Sequence, residues 1–267
     1  MKSFNQPFKF SNGVTVKNRV ALAPMTNSQS HQDGTFTETE LTWLESRAEG
    51  GFGLLISAGA RANPQGQGFP GQIGAFADEH LPGLRRFAEI AKQHEATGIL
   101  QIMHAGGRAP EKLNGAQPVG PSEVHLNFPG FETPRELAEK EIEQIIEEFG
   151  LAAERAARAG LSGVEIHGAN GYLFTQFFST VNNLRKDQWG GSLENRARLL
   201  LRTVERVRKS APKGFLVGVR ILAEDNPQQK GFDIDDTLKL VGWLNERGID
   251  YLHLSSGNLA AKPWKYP

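Results

Sequence analysis

The sequence predicts an incomplete (β/α)8 barrel of the TIM type, an α/β fold in which parallel strands alternate with helices. Three observations support this fold class. Short apolar segments alternate with helix-period segments along most of the 267 residues, which implies parallel strands joined by right-handed crossovers. Polar side chains fall where the apolar segments end, and barrels of this class gather their active sites at the carboxyl ends of their strands. No glycine-rich nucleotide-binding pattern opens any of the helices, which disfavours Rossmann and P-loop domains.

Each helical segment begins and ends at a recognisable signal. Thr37 and Glu40 form a capping box at the start of the first helix, and Gly50 ends it. Glycine or proline also ends each later helix, and a short apolar run follows. Further helices are predicted over residues 81–94, 140–158, 193–209 and 235–246, and strands over residues 19–23, 52–57, 99–103, 163–167, 215–220 and 251–255.

Six strands and five crossovers are two units short of the eight that close such a barrel. The last residues, 260–267, have the pattern of a loop rather than of a closing helix. We therefore expect residues 1–267 to form a single barrel domain that is incomplete at its C-terminal end. Its first and last strands would each have an unpaired edge, so the chain is expected to aggregate or to form a homo-oligomer.

The composition excludes several classes of function. Lys plus Arg and Asp plus Glu number 30 each, so a formal net charge of zero gives no reason to expect nucleic acid or an anionic membrane as partner. With no cysteine, the chain has no disulfide, thiolate zinc site, cysteine nucleophile or cysteine-bound iron–sulfur cluster. No signal-peptide or transmembrane pattern is evident, so we expect a soluble cytoplasmic protein without a metal site.

The densest group of candidate catalytic residues lies between His167 and Tyr172. An imidazole at His167 and an amide at Asn170 can both donate to one oxygen and so stabilise a developing oxyanion. Tyr172 carries a phenol, with a usual pKa of about 10, that can donate a proton. The alternative is a turn in which His167 and Asn170 simply bind the backbone.

Two further polar residues end predicted strands. Gln101 offers a donor and an acceptor, which suits a planar heterocycle with an imide edge. Arg220 offers a permanent charge for an anionic ring atom. Either could instead be a polar group that caps the core.

Other polar residues are interpreted as structural. Residues 183–196 combine a helix start at Ser192 with charged side chains that can form a local ion-pair network. The histidines at 31, 80, 94 and 125 fall in helices or loops and are interpreted as unpartnered surface residues.

Four ordered segments together resemble the Old Yellow Enzyme-type, FMN-dependent NAD(P)H:flavin oxidoreductases. These segments are residues 18–26, 101–108, 167–173 and 183–196, and with Arg220 the resemblance covers essentially the whole chain. It implies that FMN lies across the strand ends, with Pro24 and Met25 packed against the flavin and Thr26 bonded to its O4 edge. Ala58 would leave room beside the ring, Gln101 would contact the pyrimidine edge, and Arg220 would face N1 and O2.

The resemblance also implies a reaction. FMN reduced by NADH or NADPH would pass a hydride from N5 to the β-carbon of an activated, carbonyl- or nitro-conjugated alkene or another electron acceptor. His167 and Asn170 would bind the substrate oxygen, and Tyr172 would protonate the α-carbon. Asn170 stands where many relatives have a second histidine, and Thr26 stands where another branch has cysteine.

Two alternatives remain at this point. The chain could be an inactive or partner-dependent truncated barrel, because the flavin phosphate of this family binds on loops that follow the strands missing here. It could also be another barrel enzyme acting on a carbonyl, such as an aldolase, although Lys262 and Lys265 lie beyond the last predicted strand.

Overall fold

The computed structural model describes residues 3–126, 130–225 and 230–255. Its strands are β1 (Phe8–Lys9), β2 (Thr15–Val16), β3 (Ala21–Leu22), β4 (Leu54–Ile56), β5 (Ala60–Arg61), β6 (Thr97–Met103), β7 (Val119–Gly120), β8 (Arg135–Glu136), β9 (Gly163–Gly168), β10 (Leu216–Leu222) and β11 (Tyr251–Ser255). Its α-helices are α1 (Glu38–Glu49), α2 (Leu81–Gln93), α3 (Glu111–Asn114), α4 (Glu139–Arg158), α5 (Leu173–Phe178), α6 (Leu193–Ser210) and α7 (Ile234–Glu246).

One parallel sheet organises the chain. Its strands lie in the order β3-β4-β6-β9-β10-β11, and β5 pairs with the end of β6. Each connection along this path contains at least one helix, so the prediction of six parallel strands and five helical crossovers is confirmed. Within the described ranges β3 and β11 do not pair with each other, and the sheet therefore has two open edges.

Local signals explain why the helices begin where they do. The Thr37 side chain accepts a hydrogen bond from the Glu40 backbone N–H at the start of α1, and Ser192 accepts one from Asn195 at the start of α6. The sheet-facing sides of α2, α4 and α6 are apolar and buried. No helix within the described residues combines the length and apolarity needed to cross a membrane.

A β-hairpin that the sequence pattern did not reveal covers one end of the sheet. Strands β1 and β2 pair antiparallel, and Val16 packs with Ile56, Ile99 and Leu216 on the inner face of the sheet. Because Leu216 opens β10, this apolar plug lies at the amino end of the strands. The carboxyl end, where the polar residues are concentrated, is left for a site.

The strand register arranges the inner side chains in layers. Alternate residues of a strand share a face, and Gln101, Glu165, Gly218 and Tyr251 lie opposite one another along β6, β9, β10 and β11. Two residues further toward the carboxyl ends, His167, Arg220 and His253 form the next layer. The layer that contains His167, Arg220 and His253 thus lies directly above the layer that contains Gln101 and Glu165.

Candidate active site

Neighbouring strands bring His167 and Arg220 side by side at the carboxyl end of the sheet. They are register partners on β9 and β10. His167 is buried and Arg220 is half-buried. Arg220 donates to the Ser255 hydroxyl at 3.1 Å and reaches the Pro24 carbonyl at 3.5 Å. The guanidinium therefore connects the last described residue of β11 to the loop that follows β3.

The turn after β9 carries the two other predicted catalytic residues back over His167. Asn170 adopts a left-handed backbone conformation, φ 58°, which asparagine tolerates better than most residues. Its side-chain amide donates to the Ser255 hydroxyl at 3.2 Å. The Tyr172 ring lies edge-on to the His167 ring, with the ring centroids 5.1 Å apart. The structure therefore brings His167, Asn170, Tyr172 and Arg220 together.

Arg108, which the sequence analysis did not single out, supports this turn. Its buried guanidinium donates to the Asn170 backbone carbonyl at 2.5 Å and lies 4.6 Å from the centroid of the Tyr172 ring. Arginine stacked on an aromatic face and bonded to a carbonyl fixes both partners. Arg108 belongs to the 101–108 segment on which the family resemblance rests, and this position was the signal that could have identified it. The sequence analysis considered only the strand end in that segment.

Burial makes His167 a neutral donor. Desolvation, reinforced by the positive charge of Arg220, holds the pKa of His167 well below its usual range. Its Nδ1 is buried and has no hydrogen-bond partner among the described residues, and the same is true of Arg220 Nε. Two polar atoms of one site thus remain available for a bound molecule.

A second histidine, His104, follows β6 and is structural. Its Nδ1 accepts a hydrogen bond from the Gly106 backbone N–H at 2.9 Å. Burial lowers the pKa of His104 to about 4. The imidazole is therefore neutral near pH 7, and it fixes the turn that leads to Arg108.

The residues predicted to contact a flavin lie at or near the carboxyl ends of four strands of the same sheet, β3, β4, β6 and β10. Pro24 is buried beside Arg220, whereas the side chains of Met25 and Thr26 are exposed. Ala58 and Gln101 are both buried. The Ser57 hydroxyl joins them, because it donates to the Ala58 carbonyl at 2.8 Å and accepts from the Gln101 backbone N–H at 3.1 Å.

Beneath this level lies a buried carboxylate that sequence reasoning also missed. Glu165 has no solvent exposure. Its Oε1 accepts from Gln101 Nε2 at 2.7 Å, and its Oε2 lies 3.0 Å from His253 Nδ1. Its position two residues before His167 in a period-2 strand was the signal that could have placed it on the inner face.

Charged side chains of residues 183–196, the segment interpreted as structural, bond the backbone and neighbouring charged groups. Arg185 is buried and donates to the backbone carbonyls of Pro121 and Leu137 as well as to Asp187. Arg196 forms its ion pair with Asp236 on α7, and within its own segment it donates to the Gly191 carbonyl at 2.8 Å.

The interpretation of His80 as a surface residue is wrong. Its ring is buried and lies within 3.1 Å of the Ala77 and Asp33 carbonyls, where Gly34 and Gly74 leave room for it. The expectation that the other three histidines lack partners also fails for His125, whose ring lies 3.1 Å from the Phe131 carbonyl, whereas His94 Nε2 has no hydrogen-bond partner among the described residues.

A parallel α/β barrel sheet with convergent polar side chains at its carboxyl ends defines a barrel enzyme. The sequence profile of the NADH:flavin oxidoreductase / NADH oxidase family matches residues 3–265, and the chain belongs to this family. It is thus an oxidoreductase of a class that uses FMN together with NADH or NADPH. This excludes the aldolase-type alternative. Lys262 and Lys265 lie outside the described residues.

Individual relatives agree with this assignment. A probable NADH-dependent flavin oxidoreductase, YqiG of Bacillus subtilis, is 42% identical over 266 residues, which are 98% of this chain and 70% of that protein. The NADH:fumarate oxidoreductase of Klebsiella pneumoniae is 41% identical over 94% of this chain, but the chain spans only 28% of its length.

Solved structures confirm the fold. A 2-naphthoyl-CoA reductase complex superposes with a TM-score of 0.93 at 30% identity, covering 97% of this chain and 41% of that one. An Old Yellow Enzyme homologue from Zymomonas mobilis superposes with a TM-score of 0.87 at 29% identity, covering 97% and 74%. The predicted resemblance and the incomplete TIM-barrel fold are therefore both confirmed.

The residues present fit the isoalloxazine part of FMN. An oxidised flavin offers acceptors at N1 and O2 and an imide N–H, and the site offers a guanidinium with an unpartnered Nε and a carboxamide. Gly59 leaves space next to the Gln101 side chain. A Cβ at this position would lie 2.5 Å from Met103 Sδ and 3.2 Å from Gln101 Oε1.

Proposed function

We propose that this chain, as a single barrel domain across residues 1–267, reduces activated alkenes with NADH or NADPH. The alkene, the reduced nicotinamide and one proton give the saturated product and the oxidised nicotinamide. Two relatives support this substrate class by their names, because fumarate and the naphthoyl ring are both conjugated to a carbonyl. The chain spans less than half of either protein.

The observation that carries the proposal is the convergence of His167, Asn170 and Tyr172 at one strand end. Addition to a conjugated alkene builds negative charge on the carbonyl or nitro oxygen. Neutral His167 can donate one N–H to that oxygen, and the Asn170 side-chain amide, which bonds Ser255, is a donor of the right kind beside it. Preorganised donors of this kind are each worth about 2–4 kcal/mol in the transition state.

Tyr172 is proposed as the proton donor to the α-carbon. Its ring is held between the His167 edge and the Arg108 guanidinium. A donor fixed on two sides loses little entropy when the substrate arrives.

Arg220, Gln101, Thr26, Ala58, Pro24 and Met25 are proposed to hold FMN. The chemistry that FMN supplies when bound is two-electron transfer from the nicotinamide to the alkene. Arg220 would stabilise negative charge at the pyrimidine end of the ring, and Gln101 would orient that edge. Pro24 and Ala58, both buried, would exclude water from the ring faces they contact.

The test is an FMN titration of the purified chain, followed by NADH- and NADPH-dependent reduction of 2-cyclohexenone. Tyr172→Phe should slow reduction of the alkene about 100-fold while leaving reduction of the flavin by nicotinamide almost unchanged. The two half-reactions are followed separately by stopped-flow absorbance. Equal losses in both would rule out Tyr172 as the proton donor.

The two open sheet edges favour one second candidate function. In this alternative, the chain is inactive by itself and holds FMN only after another chain covers those edges. Gel filtration of the FMN-loaded chain separates the two candidates. Flavin that travels with a monomer supports the enzyme, and flavin that elutes freely supports the partner-dependent barrel.

A further inference from the structure

We propose that Glu165 is a positioning residue that fixes the orientation of the Gln101 carboxamide, so that this corner of the site presents a hydrogen-bond acceptor. The inference rests on the proposed flavin site. It explains why the part of the site next to Gln101 should prefer a ring edge that carries an N–H, such as an imide, to a ring edge that carries only acceptors.

The argument begins with the chemistry of the two side chains. An ionised carboxylate has acceptors only, whereas a carboxamide has an N–H2 donor on one side and an oxygen on the other. Gln101 Nε2 lies 2.7 Å from Glu165 Oε1. The reversed amide would bring two oxygens to that distance, so the carboxylate permits one orientation.

The remaining oxygen of Glu165 is also occupied, which prevents the carboxylate from turning away. His253 Nδ1 lies 3.0 Å from Oε2, and the tautomer with its proton on Nδ1 donates to that oxygen. His253 and Gln101 approach the carboxylate from strands on either side of it. Glu165 is thus held between two side chains in a position with no solvent exposure, and the buried Tyr251 hydroxyl is a further neighbour of its carboxylate.

The fixed amide leaves its oxygen facing the site. Gln101 Oε1 accepts no hydrogen bond from any described residue, and it lies toward Gly59, next to the predicted flavin contact Ala58. The positive Arg220 guanidinium lies in the layer above. An imide offers one N–H between two carbonyl oxygens, which matches an acceptor in one layer and a cation in the next layer toward the carboxyl ends of the strands.

A double-mutant cycle separates positioning from a purely structural role. FMN affinity is measured by quenching of flavin fluorescence for the wild type, Glu165→Met, Gln101→Ala and the double variant. Glu165→Met removes the acceptor and should weaken FMN binding about tenfold. In the Gln101→Ala background the same substitution should change affinity less than twofold, because no amide remains to be oriented. Equal weakening in both backgrounds would show that Glu165 supports only the fold.

The matched control is Glu148→Met on α4. Glu148 also accepts from a glutamine amide, Gln144 Nε2 at 2.9 Å, and from Asn63 Nδ2 at 2.7 Å, but it lies on the outer helix layer. Its removal should leave FMN affinity unchanged. Glu165→Gln is the conservative variant, expected to keep part of the affinity since its one oxygen can accept from Gln101 when its own N–H2 faces His253.

A measurement without ligand tests the orientation of the Gln101 amide even if the chain does not bind FMN. Failure to bind FMN would contradict the proposed function and not this inference. In proton–nitrogen NMR spectra of the flavin-free chain, the Gln101 side-chain signals are identified by their loss in Gln101→Ala. One Nε2 proton should be shifted downfield and exchange slowly in the wild type, and Glu165→Met should abolish both properties. Signals that do not change with Glu165→Met would overturn the proposal.

Discussion

At the residue scale, the most consequential property of the site is that its central histidine is neutral. Burial and the neighbouring Arg220 both disfavour the imidazolium form of His167. A neutral ring still donates one N–H, and its strength as a donor does not change as the solution passes through neutral pH. Binding of an enone oxygen at His167 should therefore be insensitive to pH above about 6.5.

His167→Ala tests this role. Removal of one oxyanion donor should slow alkene reduction about 100-fold and weaken binding of a phenol, while the FMN content stays that of the wild type. Phenol affinity is measured from the visible spectrum of the flavin, and turnover from NADH or NADPH consumption. Unchanged turnover would remove His167 from the mechanism.

His104 gives a prediction for the pH dependence of stability. Its pKa is about 4 in the folded chain and near 6.5 when unfolded, so between these values the unfolded chain binds more protons. Stability therefore falls as pH is lowered through this window, by about 2 kcal/mol between pH 7 and pH 5 from this group. His104→Asn keeps an acceptor for the Gly106 N–H but does not titrate there. Urea unfolding at both pH values should show the smaller loss in the variant, and equal losses would contradict the assignment.

At the element scale, the sequence predicted those elements whose signals are local. Capping residues such as Thr37 and Ser192 and the glycines after the helices set helix ends to within about two residues. Strand β3 is shorter than its apolar run because pairing with β4 extends over only two residues. The hairpin of β1 and β2 was missed, since two-residue strands have too little alternation to be recognised and gain their stability from the sheet that they cover.

The candidate site was predictable where a polar residue interrupts the end of an apolar run, as at His167, Gln101 and Arg220. Arg108, Glu165 and His253 were not found because their roles depend on neighbours 60 to 90 residues away in the chain. Strand register creates those neighbours, and register is a property of the assembled sheet rather than of any one segment.

Arg185 provides the prediction at this scale, because it ties the loop before α6 to the small β7–β8 sheet. Lysine cannot bond Asp187 through two nitrogens while a third nitrogen bonds the Pro121 and Leu137 carbonyls, as Arg185 does. Arg185→Lys should therefore lower the free energy of unfolding by about 2–3 kcal/mol. FMN affinity of the folded variant should be unchanged. Arg86→Lys, at an exposed ion pair with Glu38, is the control and should cost under about 1 kcal/mol. A similar small cost for both variants would deny Arg185 its structural role.

At the scale of the whole molecule, the amino end of the sheet is plugged and the carboxyl end is polar, whereas no described residue pairs with the outer edge of β3 or of β11. Edges with unpaired N–H and C=O groups pair readily with other chains. On the β11 side, exposed leucines add to this tendency, with Leu254 on the strand and Leu238 on α7 each 60% exposed. The edge strands β3 and β11 also border the candidate active site. Self-association through these edges is therefore expected to affect flavin binding.

We therefore expect the 267-residue chain to associate at micromolar concentration through the β11 edge, and Leu254→Lys to weaken that association. A lysine at an exposed edge position opposes strand pairing by charge and costs the folded monomer little, since the leucine side chain is largely in water. Leu184→Lys, at a similarly exposed position away from the sheet edge, is the control. Light scattering after gel filtration should show a smaller mass for Leu254→Lys than for the wild type and for Leu184→Lys. A wild type that is monomeric at all concentrations would show that the open edges are protected.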